Sequence, residues 1–189
     1  MTAAATRKPR ADAARNRARV LEAAHVVFGA GGADASLEAV ARQAGVGIGT
    51  LYRHFPTREA LFDAVYRHEV QRLVELAESL DSEPPVEALR LWMHANVDFI
   101  ATKKGMSAAL AQAAQAGSEL LVASVERLTQ ALGRLLERAV AAGEIRDELA
   151  PGDLLRALVG LCYVHENPGW QANVLRIVDV LIAGLAVRR

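Results

Sequence analysis

Three features of the 189 residues predict an all-α fold. The chain is 52% hydrophobic but only 5% aromatic, and alanine and leucine dominate it, a composition rich in strong helix formers. Apolar residues recur at steps of three and four, and no segment alternates apolar and polar residues as a half-buried strand does. The breaks between segments fall at glycine and proline, which stop helices.

The elements follow in order. Residues 12–29 carry Ala13, Val20, Ala24, Val27 and Phe28 at helical spacing, and Gly29, Gly31 and Gly32 end the run. Ser36 is placed to cap a short helix from Leu37 to Ala44, which Gly45 stops. A second short helix is expected over 47–54, before Pro56. Thr57 can cap a long helix to about Leu80, with Leu61, Phe62, Val65, Tyr66, Leu73 and Leu76 on its inner side. The stretch DSEPPV is the clearest break. Helices are then expected over 86–103, 107–115, 118–142, 153–166 and 171–187, about nine in all. The breaks between them fall at Lys104-Gly105, Gly117, Gly143, Pro151-Gly152 and Pro168-Gly169. The expected organisation is a disordered basic arm over 1–11, a small head over 12–56 and a helical body over 57–189.

The zero net charge hides an asymmetry. Residues 1–58 carry nine Lys/Arg against four acids, so this part is +5 and the remainder −5. A basic head on an acidic body points to a polyanionic partner at one end. The single cysteine, Cys162, excludes an internal disulfide and fits a reducing cytoplasm. Arg7, Lys8, Arg10, Arg15, Arg17 and Arg19 interrupt any apolar leader. No apolar run approaches the roughly eighteen residues of a membrane span.

The stretch GVGIGTLYRHF, from Gly45 to Phe55, is open to two readings. A phosphate-cradling loop would need a preceding strand and either a third glycine of G-x-G-x-x-G or a terminal Gly-Lys-Ser/Thr. Here Gly47-x-Gly49 leads to Tyr52, and an amphipathic segment, SLEAVARQA, precedes it. A helix-turn-helix needs two short helices and a tight turn, and this pattern is met throughout. Gly45 supplies the turn. Leu37, Val40, Ala41, Val46 and Leu51 supply a small shared core. The second helix projects Ile48, Thr50, Tyr52 and Arg53, side chains able to meet a thymine methyl, a phosphate or a guanine edge.

Residues 15–66 resemble the DNA-binding head of the TetR family of bacterial repressors. The likeness rests on RVLEAAHVVFGAGG, on SLEAVARQAGVGIGTLYRHF and on PTREALFDAVY. Leu51, Tyr52, His54, Phe55, Arg58 and Leu61 meet the run L-Y-x-H-F-x-x-[KR]-x-x-L. The resemblance implies that Thr50, Tyr52 and His54 touch phosphates or groove edges and that Arg58 grips phosphate. It also implies that Ser36 caps the second helix beside the backbone, and that Gly47, Ile48, Gly49 and Arg53 fill the base-reading slots. The glycines depart from that pattern, because they have no side chain to read with. The arm TRKPR is a candidate for an adjacent minor groove.

Enzyme constellations are weak: the five histidines fall in separate segments, and no nucleophile elbow or paired-carboxylate motif stands out. No cofactor is expected. Cys162, His165 and Glu166 are close enough in sequence to hold a metal, but ordinary packing is favoured and no metal is expected. His94 and Asp98, four apart, can share a hydrogen bond.

The body offers more for ligand binding. Leu89, Trp92, Met93, Asn96, Phe99 and Ile100 form one stripe interrupted by a polar group at Asn96, which needs a partner. A pocket for a hydrophobic, uncharged or weakly polar effector is therefore expected at Trp92, Met93, Asn96 and Phe99. Leu128, within the stripe Leu121, Val125, Leu128, Leu132 and Leu135, is assigned to the opposite wall, and Cys162 is included in the site. The last helix is apolar on more than one face. With the helix before it, it implies a homodimer through a four-helix bundle at Leu154, Leu158, Leu161, Val174, Val178, Leu181 and Leu185. The expected function is a homodimeric repressor on a palindromic DNA operator, released by a small molecule and independent of membranes. The alternative is a helical sensor or carrier acting through a protein partner.

Overall fold

The computed structural model describes residues 8–31, 35–106, 119–164, 167 and 169–187, with side chains from Asp12 onward. Eight α-helices lie among them: α1 Lys8–Gly31, α2 Leu37–Ala44, α3 Ile48–His54, α4 Arg58–Ser79, α5 Pro85–Gly105, α6 Glu119–Ala141, α7 Pro151–Val164 and α8 Trp170–Leu185. A 3₁₀ turn, Leu80–Ser82, follows α4. The protein is all-α, as its composition and periodicity predict. The helix expected over 107–115 lies outside the described residues, as do His165, Glu166 and the TRKPR arm up to Arg7.

Three helices begin earlier than expected, for one reason. Pro9, Pro85 and Pro151 lie in the first turns of α1, α5 and α7. The first turn makes no use of its backbone N–H groups, and proline's fixed φ suits it. At Pro85 and Pro151, proline read as a break is a helix start.

The described residues form two compact units. The first runs to His68 and takes in Thr102–Met106; the second comprises Glu69–Ala101 and the residues from Glu119 on. Helices α4 and α5 each contribute to both.

In the first unit α1, α2 and α3 are in mutual contact. Val20, Ala24, Phe28, Val40, Leu51, Phe55, Leu61, Phe62 and Val65 are buried there. Phe28 and Phe62 meet edge to face, centroids 4.9 Å apart at 71°, the arrangement aromatic quadrupoles prefer. The end of α5 closes on the end of α1. Thr102 Oγ1 is 3.2 Å from His25 Nδ1, and Gly105 lies so close to Phe28 that a Cβ there would stand 2.8 Å from the Phe28 carbonyl carbon. Burial at this end pushes the Lys103 amine below its ordinary range.

In the second unit the core is built from Leu73, Leu89, Trp92, Met93, Leu132, Leu135, Leu154, Leu158, Val174 and Val178, among others. Trp92 Nε1 donates to the Leu73 carbonyl at 2.8 Å, tying α5 to α4. Arg138 on α6 holds the exit of α4. Its guanidinium donates to the Leu80 carbonyl at 3.0 Å and the Glu83 carbonyl at 2.8 Å. His94 pairs with Asp179 of α8, Nε2 to Oδ1 2.9 Å. The chain end is tied by a single antiparallel bridge between Ile145 and Ala186. No helix among the described residues is long and apolar enough to cross a membrane.

Candidate nucleic-acid interface

The motif is assembled by local chemistry. Ser36 Oγ accepts from Ala39 N at 3.1 Å, capping α2. Gly45 then ends it in the left-handed region, φ 62°. Gly45 N donates to the Arg42 carbonyl at 3.1 Å and Val46 N to the Ala41 carbonyl at 3.0 Å, the paired bonds of a Schellman stop. A side chain at 45 would carry the steric cost of positive φ. α3 starts at Ile48, and its N-cap residue, Gly47, has no side chain to cap it. Leu51 is its buried anchor, at 0% exposure.

The opposite face of α3 is open. Ile48, Gly49, Tyr52 and Arg53 are exposed, while Thr50 and His54 are half-buried. Arg53 Nε rests on the Gly49 carbonyl of its own helix at 3.3 Å, a weak bond that a guanine edge can replace. Gly47 and Gly49 have ordinary φ values, and a methyl added at either would stand in open space, so neither the turn nor the packing of the free protein requires them. Gly49→Ala is expected to stabilise the head by about 0.5–1 kcal/mol and to weaken DNA binding, because the added methyl occupies the approach to the duplex. Thermal melting and titration with a selected DNA check both arms; unchanged DNA affinity would show that the duplex does not approach there.

Arg58 is more engaged than the resemblance implies. Its guanidinium stands 4.9 Å over the Phe62 ring and donates to the Ala35 carbonyl at 2.9 Å, so it ties the start of α4 to the entry of α2. Two arginines of α1, not singled out in the sequence, brace the motif. Arg17 lies 5.3 Å over the Phe55 ring, and Arg19 Nη2 is 3.4 Å from the Gly45 carbonyl. Their only signal in sequence is their place in the run of cations that opens α1.

Comparison with known proteins agrees with this geometry. Residues 20–65 match the family of bacterial regulatory proteins of the tetR type. Residues 84–187 match the C-terminal domain of SbtR-like transcriptional regulators. The chain belongs to the TetR family. It is a DNA-binding transcriptional regulator with a helix-turn-helix. A TetR transcriptional regulator of Streptomyces coelicolor is 42% identical, with TM-score 0.81, over 92% of this chain and 99% of that one. A TetR regulatory protein of Mycobacterium vanbaalenii is 38% identical, TM-score 0.71, over 94% and 99%. The HTH-type transcriptional repressor KstR of Rhodococcus jostii is 27% identical over 92% of this chain and 85% of its own length.

The TetR body places the remaining candidates as follows. Trp92, Met93, Asn96, Phe99, Leu128 and Cys162 are all buried. The two clefts described in this unit, of about 610 and 580 Å³, are lined instead by residues including Gly133, Glu137 and Pro151. Among the described residues no three His, Cys, Asp or Glu side chains cluster as a metal site would require.

Of the residues assigned to subunit contact, Leu154, Leu158, Val174, Val178 and Leu185 are buried within the chain itself, and Leu161 and Leu181 are half-buried. The five buried residues pack within the protomer itself. The apolar side chains that α7 and α8 leave outside are Val164 and Val180, at 79% and 73% exposure, with Tyr163 and Ile177. Although partly exposed, Tyr163 has its phenol pushed above its ordinary range by partial burial, with Cys162 adding to the shift.

Proposed function

We propose that the protein is a homodimeric repressor whose two α3 helices enter successive major grooves of a palindromic operator, and that a small molecule in the body releases it. The observation that carries this reading is the open face of α3, with Ile48, Gly49, Tyr52 and Arg53 exposed above the buried Leu51. Residues 12–56 act as the reading head and 57–189 as the body, the whole working in the cytoplasm where its DNA lies. Ser36, Thr50, Tyr52 and His54 contact the sugar–phosphate backbone, and Gly47 and Gly49 admit it closely. Ile48 and Arg53 read base edges. Repression is supported by the likeness to a repressor over most of the chain.

The dimer forms through the outer face of α7 and α8. Ala157, Gly160 and Val164 lie one turn apart on α7, and Ile177, Val180 and Gly184 on α8, all exposed. An added Cβ at Gly160 or Gly184 meets nothing within 4 Å, so a second pair of helices can approach closely there. Two reading helices must then stand about 34–36 Å apart. α4 runs without a break from beside the motif into the body unit. An effector that favours a different position of α4 changes the spacing, and only its preference for one state can shift the equilibrium.

Selection of bound sequences from a random DNA pool tests the reading and supplies the operator. On that operator, Arg53→Ala is expected to lower discrimination at one base pair by about 1–3 kcal/mol. Arg58→Ala is expected to weaken binding to all sequences alike. Arg58→Lys should restore only part of it, because lysine keeps the charge but loses the planar group that stacks and donates together. Wild-type operator affinity in both alanine variants would remove α3 from the interface.

A further inference from the structure

Asn96 is a buried polar group with an unspent donor. The residue is 1% exposed, and its Nδ2 has no hydrogen-bond partner. The positions three and four residues away on the same helix face are Trp92, Met93, Phe99 and Ile100, exposed by no more than 4%. The Nδ2 donors are thus held out of solvent without an acceptor, which penalises the folded state. Leucine has nearly the same shape and would carry no such penalty. Trp92 does not relieve it, because its own N–H is committed to the Leu73 carbonyl.

We propose that Asn96 is the polar anchor of the effector site, its Nδ2 donating to the carbonyl oxygen of an otherwise apolar, uncharged ligand of the ketone, ester or lactone class. The inference rests on the reading of the body as an effector domain. Trp92, Met93, Phe99 and Ile100 carry no positive charge to pair with a carboxylate, which disfavours an acid. A hydrocarbon is disfavoured too, since it would leave the amide unpaired. Neither described cleft includes Asn96. Asn96 is itself closed off from solvent, so a ligand reaching it separates packed side chains and distinguishes one arrangement of the core from another. That preference is what effector control requires.

The test uses acetophenone and α-methylstyrene, which share a shape and differ in C=O against C=CH₂. Binding of each to the full-length wild type and to Asn96→Leu is measured by ¹⁵N NMR, and thermal midpoints are taken without probe. The Asn96 side-chain amide signals are assigned by their loss in the variant. Acetophenone is expected to shift those signals. The acetophenone-to-α-methylstyrene affinity ratio should fall about tenfold from wild type to Asn96→Leu, the size of one hydrogen bond. The midpoint of the free variant should rise by a few degrees. An unchanged ratio, an amide that responds to neither probe, or a variant that melts lower or fails to fold would each overturn the proposal. Operator binding on the same samples without probe should be equal for the two proteins. Failure of both to bind DNA, with the amide shift intact, would count against the repressor reading and leave the anchor standing.

Discussion

Val180→Asp is expected to convert the proposed dimer into a folded monomer and to lower operator affinity by about a hundredfold or more, since each half-site must then be bound without its tethered neighbour. The size of the effect follows from where the residue sits. Val180 is 73% exposed in the protomer, so within one chain the carboxylate stays in water and folding is undisturbed. In the proposed bundle the same carboxylate would be buried opposite its symmetry mate, and bringing two like charges together out of water costs several kcal/mol. Leu181, the neighbouring position, is a poorer probe because it is half-buried in the protomer and a charge there would also strain the fold. Sedimentation and circular dichroism distinguish the outcomes. A helical Val180→Asp protein that still sediments as a dimer would move the interface off α7 and α8.

Gly105→Ala is expected to destabilise the first unit by about 2–3 kcal/mol, a fall in melting temperature of roughly ten degrees. The new Cβ would overlap the Phe28 carbonyl oxygen and stand 2.8 Å from its carbon. Both atoms are backbone, so relief requires a shift of α1 or of the end of α5. Phe28 cannot move freely, because its ring is packed against Phe62. The same substitution at Gly49, where nothing lies within 4 Å, is the internal control and should act in the opposite sense. A Gly105→Ala protein as stable as wild type would show that the two helix ends separate readily.

Gly105 and Arg58 mark how far the amino-acid sequence could be read. Gly105 is visible in it only as a helix stop. Its close approach to Phe28 joins positions seventy-seven residues apart, and nothing local encodes such a meeting. Arg58 is similar: its charge and place at the start of α4 are plain, while its bond to Ala35 and its stacking on Phe62 depend on the arrival of α2 and the turn of α4.

Local features follow directly from the sequence. The all-α class, the bounds of α2, the Ser36 cap, the Gly45 stop and the buried Leu51 all follow from residues within one or two turns of each other, because caps, glycine stops and apolar spacing act over that range. The choice of faces is different in kind. α8 is apolar around more than one side, and its sequence favours Val174 and Val178 no more than Ile177 and Val180 as the inner set. The packed neighbours of the second unit decided it, burying the first pair completely and leaving the second pair in solvent. The sequence likewise shows that Asn96 interrupts an apolar stripe. Only the assembled core leaves its Nδ2 without a partner, because a hydrogen bond there depends on which groups the other helices bring within about 3 Å.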